Sequence, residues 1–132
     1  MPPKPDPLSN VVYDKGPACS IVYAIDAKGN MPAYEFYEGR KSELTKQQRR
    51  KFFSYFARMG DVGRITNTDQ FNSERNGIYA FKIWKQRIYC FQDGNEWVLT
   101  HGCKKNQQKA DPNELDRAER IRKEHLARKP KV

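Results

Sequence analysis

Apolar and polar positions alternate most clearly between Gly77 and Lys105, GIYAFKIWKQRIYCFQDGNEWVLTHGCKK. β-Branched and aromatic residues dominate this stretch, as they do on pleated, half-buried surfaces. Two turn signals, Lys85-Gln86 and Asp93-Gly94-Asn95, divide it into a meander with strands at roughly 78–84, 87–92 and 96–103. With Lys85 and Gln86 as the loop, Trp84 faces Arg87, Lys82 faces Tyr89 and Ala80 faces Phe91. Directly paired residues share a face, and faces alternate with period two. One face then carries Tyr79, Phe81, Ile83, Ile88 and Cys90, a core-forming set. The other carries Lys82, Trp84, Arg87 and Tyr89. A face meant only for solvation has little use for Trp and Tyr, whereas one that grips phosphates and stacks bases uses this mixture.

The pattern predicts four further elements. Ala18 to Ile25, ACSIVYAI, is apolar throughout and reads as a strand covered on both faces. Pro32 to Gly39 reads as a short helix, with Pro32 suited to a first turn. Ser42 to Met59 shows helical periodicity, with Leu44, Phe52, Phe56 and Met59 inward and Lys46, Arg49, Arg50 and Lys51 outward. Its start is capped by Ser42, or by Thr45 with Gln48, and Gly60 stops it. Residues 61–76 are polar and aperiodic, which predicts a loop. Asp111-Pro112-Asn113-Glu114 opens a last helix, with Leu115, Ala118, Ile121 and His125 or Leu126 on its packing side. Four of the eight prolines fall in residues 1–10, so residues 1–17 are expected to form a disordered arm and connector. One domain is expected over 18–128, with 129–132 a frayed basic tail.

Composition narrows the partners. A formal net charge of +9 with 31% charged residues favours a polyanion. No apolar run approaches the ~20 residues a membrane-spanning helix needs, and the proline-rich start does not resemble a secretory signal. Cys19, Cys90 and Cys103 are odd in number and widely spaced, which reads as buried thiols in a reducing compartment, the cytoplasm.

No phosphate-binding glycine loop, nucleophile elbow or metal-binding histidine pair is present, and no cofactor is expected. What remains is the cationic–aromatic face, continued by Lys104, Lys105 and Lys109. RNA can be cut through its own 2′-hydroxyl without a metal. That needs a proton acceptor, cations to stabilise the pentavalent phosphate, and a donor to the leaving oxygen. Closely packed Lys, Arg and Tyr can supply all three. The face on which His101 lies depends on whether the second hairpin has a two- or three-residue loop.

Several motifs occur in a telling order: Ile78-Tyr79-Ala80-Phe81-Lys82, Arg87-Ile88-Tyr89, and Leu99-Thr100-His101-Gly102-Cys103-Lys104-Lys105 leading to Lys109, Pro112, Glu114 and Ala118. Over about 18–128 the chain resembles the RelE/ParE toxin superfamily, and within it the phage Gp49-like branch of HigB toxins. The resemblance implies an α+β RelE-like fold, with one N-terminal strand beside a three-stranded antiparallel meander and helices packed on one side. It implies the toxin of a type II toxin–antitoxin system, an mRNA endoribonuclease acting at the ribosome and neutralised by a helix-turn-helix antitoxin. Carried over by position, Lys82 and Arg87 bind and stabilise the scissile phosphate and Lys105 assists proton transfer or charge neutralisation. Tyr89, Trp84, Lys104 and Lys109 contact RNA. The chain departs from the branch at Lys82, where Arg is usual, and at Asn106, where a second motif Lys often stands. The alternative is a non-catalytic binder on the same scaffold, either a gyrase inhibitor of the ParE kind or a phage-derived nucleic-acid-binding protein.

Overall fold

A computed structural model describes residues 10–105 and 111–128. The chain forms β1 (Val11–Tyr13), β2 (Ser20–Tyr23), α1 (Pro32–Tyr37), α2 (Lys46–Val62), β3 (Phe71–Arg75), β4 (Ile78–Ile83), β5 (Gln86–Asp93), β6 (Glu96–Lys104) and α3 (Pro112–Arg128). The six strands make one mixed sheet in the order β1-β2-β6-β5-β4-β3. Only β2 and β6 run parallel. The other neighbours pair antiparallel.

This sheet is larger than the four strands expected. The additions are β1, in the connector, and β3, in the segment read as a loop. β3 escaped detection because only Phe71 of its five residues is buried. An edge strand can be polar and still find a partner, since the backbone supplies the ladder. Residues 1–9 of the expected arm, the tail at 129–132, Asn106 and Lys109 lie outside the described residues.

α2 starts where Thr45 Oγ1 accepts from Gln48 N (3.0 Å) and Gln48 Oε1 accepts from Thr45 N (2.9 Å), a reciprocal capping box. Its end is Gly63 rather than Gly60. Gly63 adopts φ +89°, a left-handed cap that glycine reaches without strain, while Gly60 stays helical and buried. α3 is capped by Asp111, whose Oδ1 accepts from Asn113 N (2.9 Å).

The helices cover both faces of the sheet, not one. α1 and α2 pack on Ile21, Tyr23, Phe81, Ile83, Ile88, Cys90, Trp97 and Leu99. α3 covers Val22, Ala24, Ile78, Ala80, Tyr89, Phe91 and Val98 with Leu115, Ala118 and Ile121. β2 therefore buries both its faces, as its unbroken apolar run predicts. The first core is aromatic: Phe56 stands edge-on to Phe81 at 5.0 Å and to Tyr37 at 5.4 Å. α1 lies so close to β6 that a Cβ on Gly102 would strike the Phe36 ring.

Candidate nucleic-acid interface

The first hairpin turns at Trp84-Lys85, one residue earlier than expected, because Ile83 pairs with Gln86. Lys82 therefore stands directly opposite Arg87, and Ala80 opposite Tyr89. The shift in pairing is two residues, an even number, so the face assignments survive it. Tyr79, Phe81, Ile83, Ile88 and Cys90 form or flank the core beneath α1 and α2. Lys82, Arg87 and Tyr89 share the α3 side.

On that side Lys82 and Arg87 are both half-buried. Like charges placed directly across a ladder destabilise a sheet. Arg87 folds one guanidinium nitrogen, Nη1, back onto the carbonyls of Trp84 and Gln86. Among the described residues its other nitrogens have no hydrogen-bond partner, so part of the fork is free for an oxyanion. Trp84 does not sit on the strand. It occupies the hairpin tip with φ +51° and is 77% exposed. Holding a bulky residue there costs on the order of 1–3 kcal/mol, which is tolerated most often at functional sites. Lys85 Nζ lies 5.0 Å from the centre of the Trp84 ring.

Tyr89 needs a correction. Its ring is fully buried and stacked on His101 at 5.1 Å, so it offers no face to a base. Burial first, and then the neighbouring Cys103, raise its hydroxyl pKa. The Cys103 thiol is likewise pushed up to about 12, chiefly by burial. Both groups hold their protons at neutral pH. Tyr89 is part of the scaffold.

Lys104 and Lys105 separate. Arg87 pairs with Cys103 and Gln86 with Lys104, so Cys103 shares the α3 side. Lys104 points the other way, lining a cavity of about 260 Å³ with Phe36, Lys41, Ser42 and Gln86. Lys105 is buried and anchored through its backbone N–H to Lys85 O (2.7 Å). Its ammonium pKa is lowered, first by burial and further by Arg87, against the opposing pull of Cys103, Glu74 and Asp111. Burial and the Arg87 cation both favour the neutral amine of Lys105 over its ammonium.

The register shift between Tyr89 and Cys90 decides this sorting. Cys90 pairs with Leu99 but Tyr89 pairs with His101, leaving Thr100 as the extra residue of a bulge. The Thr100 hydroxyl reaches Tyr89 O (3.2 Å) across the interrupted ladder. Without the bulge His101, Cys103 and Lys105 would all change faces. Instead His101 lies beneath α3, and its Nε2–H donates to Glu114 Oε2 at 2.9 Å. Burial, then the Arg117 cation, lowers the imidazole from 6.5 to about 4 despite Glu114. His101 is neutral and pins the first turn of α3. Glu114 is invisible as a site residue in sequence, where it reads as a helix-start acid.

Fold and site together describe a mixed-sheet domain with a cationic strand face beside the start of its last helix. The family model described as phage-derived protein Gp49-like (DUF891) matches residues 42–123, from just before α2 into α3. The match spans more than half of the chain, and the chain belongs to this family, a RelE/HigB-like toxin branch. No curated protein matches the chain.

Proposed function

We propose that this protein is the toxin of a type II toxin–antitoxin system and cuts mRNA as an endoribonuclease at the ribosome. One observation carries the reading: the fold sets Lys82 directly against Arg87, with the depressed ammonium of Lys105 close enough to feel Arg87. Two opposed cations with a lysine amine near one of them suit a phosphorane.

In this reading Arg87 and Lys82 hold the non-bridging oxygens of the scissile phosphate. Lys105, as its neutral amine, accepts the 2′-hydroxyl proton. The 2′-oxygen bonds to phosphorus, the bond from phosphorus to the 5′-oxygen breaks, and Lys82 returns a proton to that oxygen. The products are a 2′,3′-cyclic phosphate and a 5′-hydroxyl end. Trp84 stacks a flanking base. A helix-turn-helix antitoxin is the partner this reading requires.

The test is mRNA in a translation extract, read by primer extension. Discrete cuts with 5′-hydroxyl ends are expected, and Lys105→Met should slow them at least 100-fold. Intact transcripts accompanied by DNA damage would replace this reading with gyrase inhibition.

A further inference from the structure

Side chains alternate along β5, and the positions that face α1 and α2 are Gln86, Ile88 and Cys90. Ile88 and Cys90 are apolar and fully buried, as a core face requires. Gln86 breaks the series. It is only 7% exposed, yet its side-chain amide makes no hydrogen bond among the described residues. A buried amide without a partner costs stability, so its place on a core face calls for a use.

Gln86 lines the cavity of about 260 Å³ beside Lys104, together with Phe36 and the connection between α1 and α2. Gly102 lets the Phe36 ring lie against the β6 backbone, because any Cβ there would strike it. The Ser42 hydroxyl on the rim is already engaged: it donates to Phe36 O (2.6 Å) and accepts from Leu44 N (3.3 Å). Lys41 and Lys104 bring two positive charges to the lining, and Glu35 and Glu43 bring two negative ones. None of these four makes an ion pair among the described residues.

These features select the occupant. Balanced charges do not favour a bare phosphate or carboxylate, which Glu35 and Glu43 would repel. A flat, neutral group fits better. Phe36 supplies ring surface for stacking, and the Gln86 amide sets a donor and an acceptor side by side, as Gln does when it holds a base edge. Gln86 pairs with Lys104, and their chain neighbours are Arg87 and Lys105. The cavity therefore lies behind the same end of the sheet whose other side carries Lys82 and Arg87. Trp84, exposed at the hairpin tip, stands at that end too.

We infer that this cavity takes one unpaired nucleobase of the bound RNA, read by the Gln86 amide, on the side of the sheet opposite the scissile phosphate. The inference rests on the reading of the Lys82–Arg87 end as an RNA surface, but it requires no cutting. The probes are labelled 2′-O-methyl RNA hexamers of A, of C and of U, with an abasic hexamer of the same backbone. Their 2′-oxygens have no proton to give up, so they are not cleaved. Binding to the full chain is read by fluorescence anisotropy. The parent should hold the best hexamer about fivefold or more tighter than the worst, the scale on which a bidentate contact discriminates. Gln86→Met should bring the three within about twofold of one another and leave the abasic hexamer's affinity unchanged. The variant should melt no lower than the parent, since Met keeps the length and removes the unpaired amide. Gln86→Leu is a second variant with the same sign. Trp84→Ala should weaken the three base-bearing hexamers alike and keep the preference. A preference that survives both Gln86 variants, or none in the parent, would overturn the inference and leave the cleavage reading standing. Weaker binding of the abasic hexamer by the Gln86 variants would also overturn it. A Gln86-dependent preference in a protein that leaves transcripts intact would uphold the cavity and remove the nuclease. Binding of none of the hexamers would overturn both.

Discussion

The two faces of the sheet are finished differently. Under α1 and α2, aromatic rings interlock from Tyr37 through Phe52 and Phe56 to Phe81, Phe71 and Trp97, with Phe52, Phe56 and Phe81 fully buried. Under α3 the core is mixed: small Ala24, Ala80 and Ala118 meet Tyr89, Phe91, Ile78, Val98 and Ile121, and a His101–Glu114 contact lies beside them. Beyond that contact the face holds Lys82, Arg87 and Lys105. One face supplies stability. The other sets like charges together where the proposed chemistry happens.

That contrast can be broken experimentally, and the largest effect belongs to the aromatic face. Phe56→Ala should cost about 3–5 kcal/mol in urea unfolding, because a fully buried ring with three aromatic neighbours leaves a cavity that cannot collapse. A loss under 1 kcal/mol would mean the face is not close-packed. Gly102→Ala should come next, at about 1–3 kcal/mol, since its Cβ would strike the Phe36 ring.

On the α3 face the expected effect is on pH dependence. The His101 pKa is lowered from 6.5 to about 4 in the folded protein, so the unfolded chain binds that proton more readily. Stability should therefore fall as pH drops from about 6.5 toward 4, and His101 should add no further loss below that. His101→Gln should flatten this part of the curve. An identical slope in the variant would show that His101 is not held neutral beneath α3. The smallest stability effect belongs to Lys82→Gln, within about 0.5 kcal/mol, because removing one of two opposed cations sacrifices no packing. Loss of cleavage without loss of stability at this position is what separates the two faces.

How much of this was legible in sequence follows from parity. The meander and its faces were readable because the real turn, Trp84-Lys85, shifts the pairing by an even number. What escaped depends on an odd step. The Thr100 bulge moves His101, Cys103 and Lys105 onto one side and leaves Lys104 on the other, and nothing in Leu99-Thr100-His101 announces it. Tyr89 looked like a base platform because an exposed and a buried Tyr read alike in a strand; only the covering by α3 tells them apart. β3 was hidden by its polarity. The α2 capping box was readable, since its chemistry lies within four residues. Lys82 stands opposite Arg87 and Lys105 feels the Arg87 charge, while Lys104 faces away and Trp84 stands at the tip.

The central claim is that the cationic end of the α3 face is what cuts RNA. Its most direct measurement compares the parent with the Lys82→Gln, Arg87→Gln double variant on a defined transcript, with and without ribosomes, after thermal melting shows both are folded. The account predicts discrete cuts with 5′-hydroxyl ends by the parent in the ribosome-containing arm, slowed at least 100-fold in the variant. Cutting by the variant at the parent's rate, or intact transcripts with the parent in both arms, would contradict it.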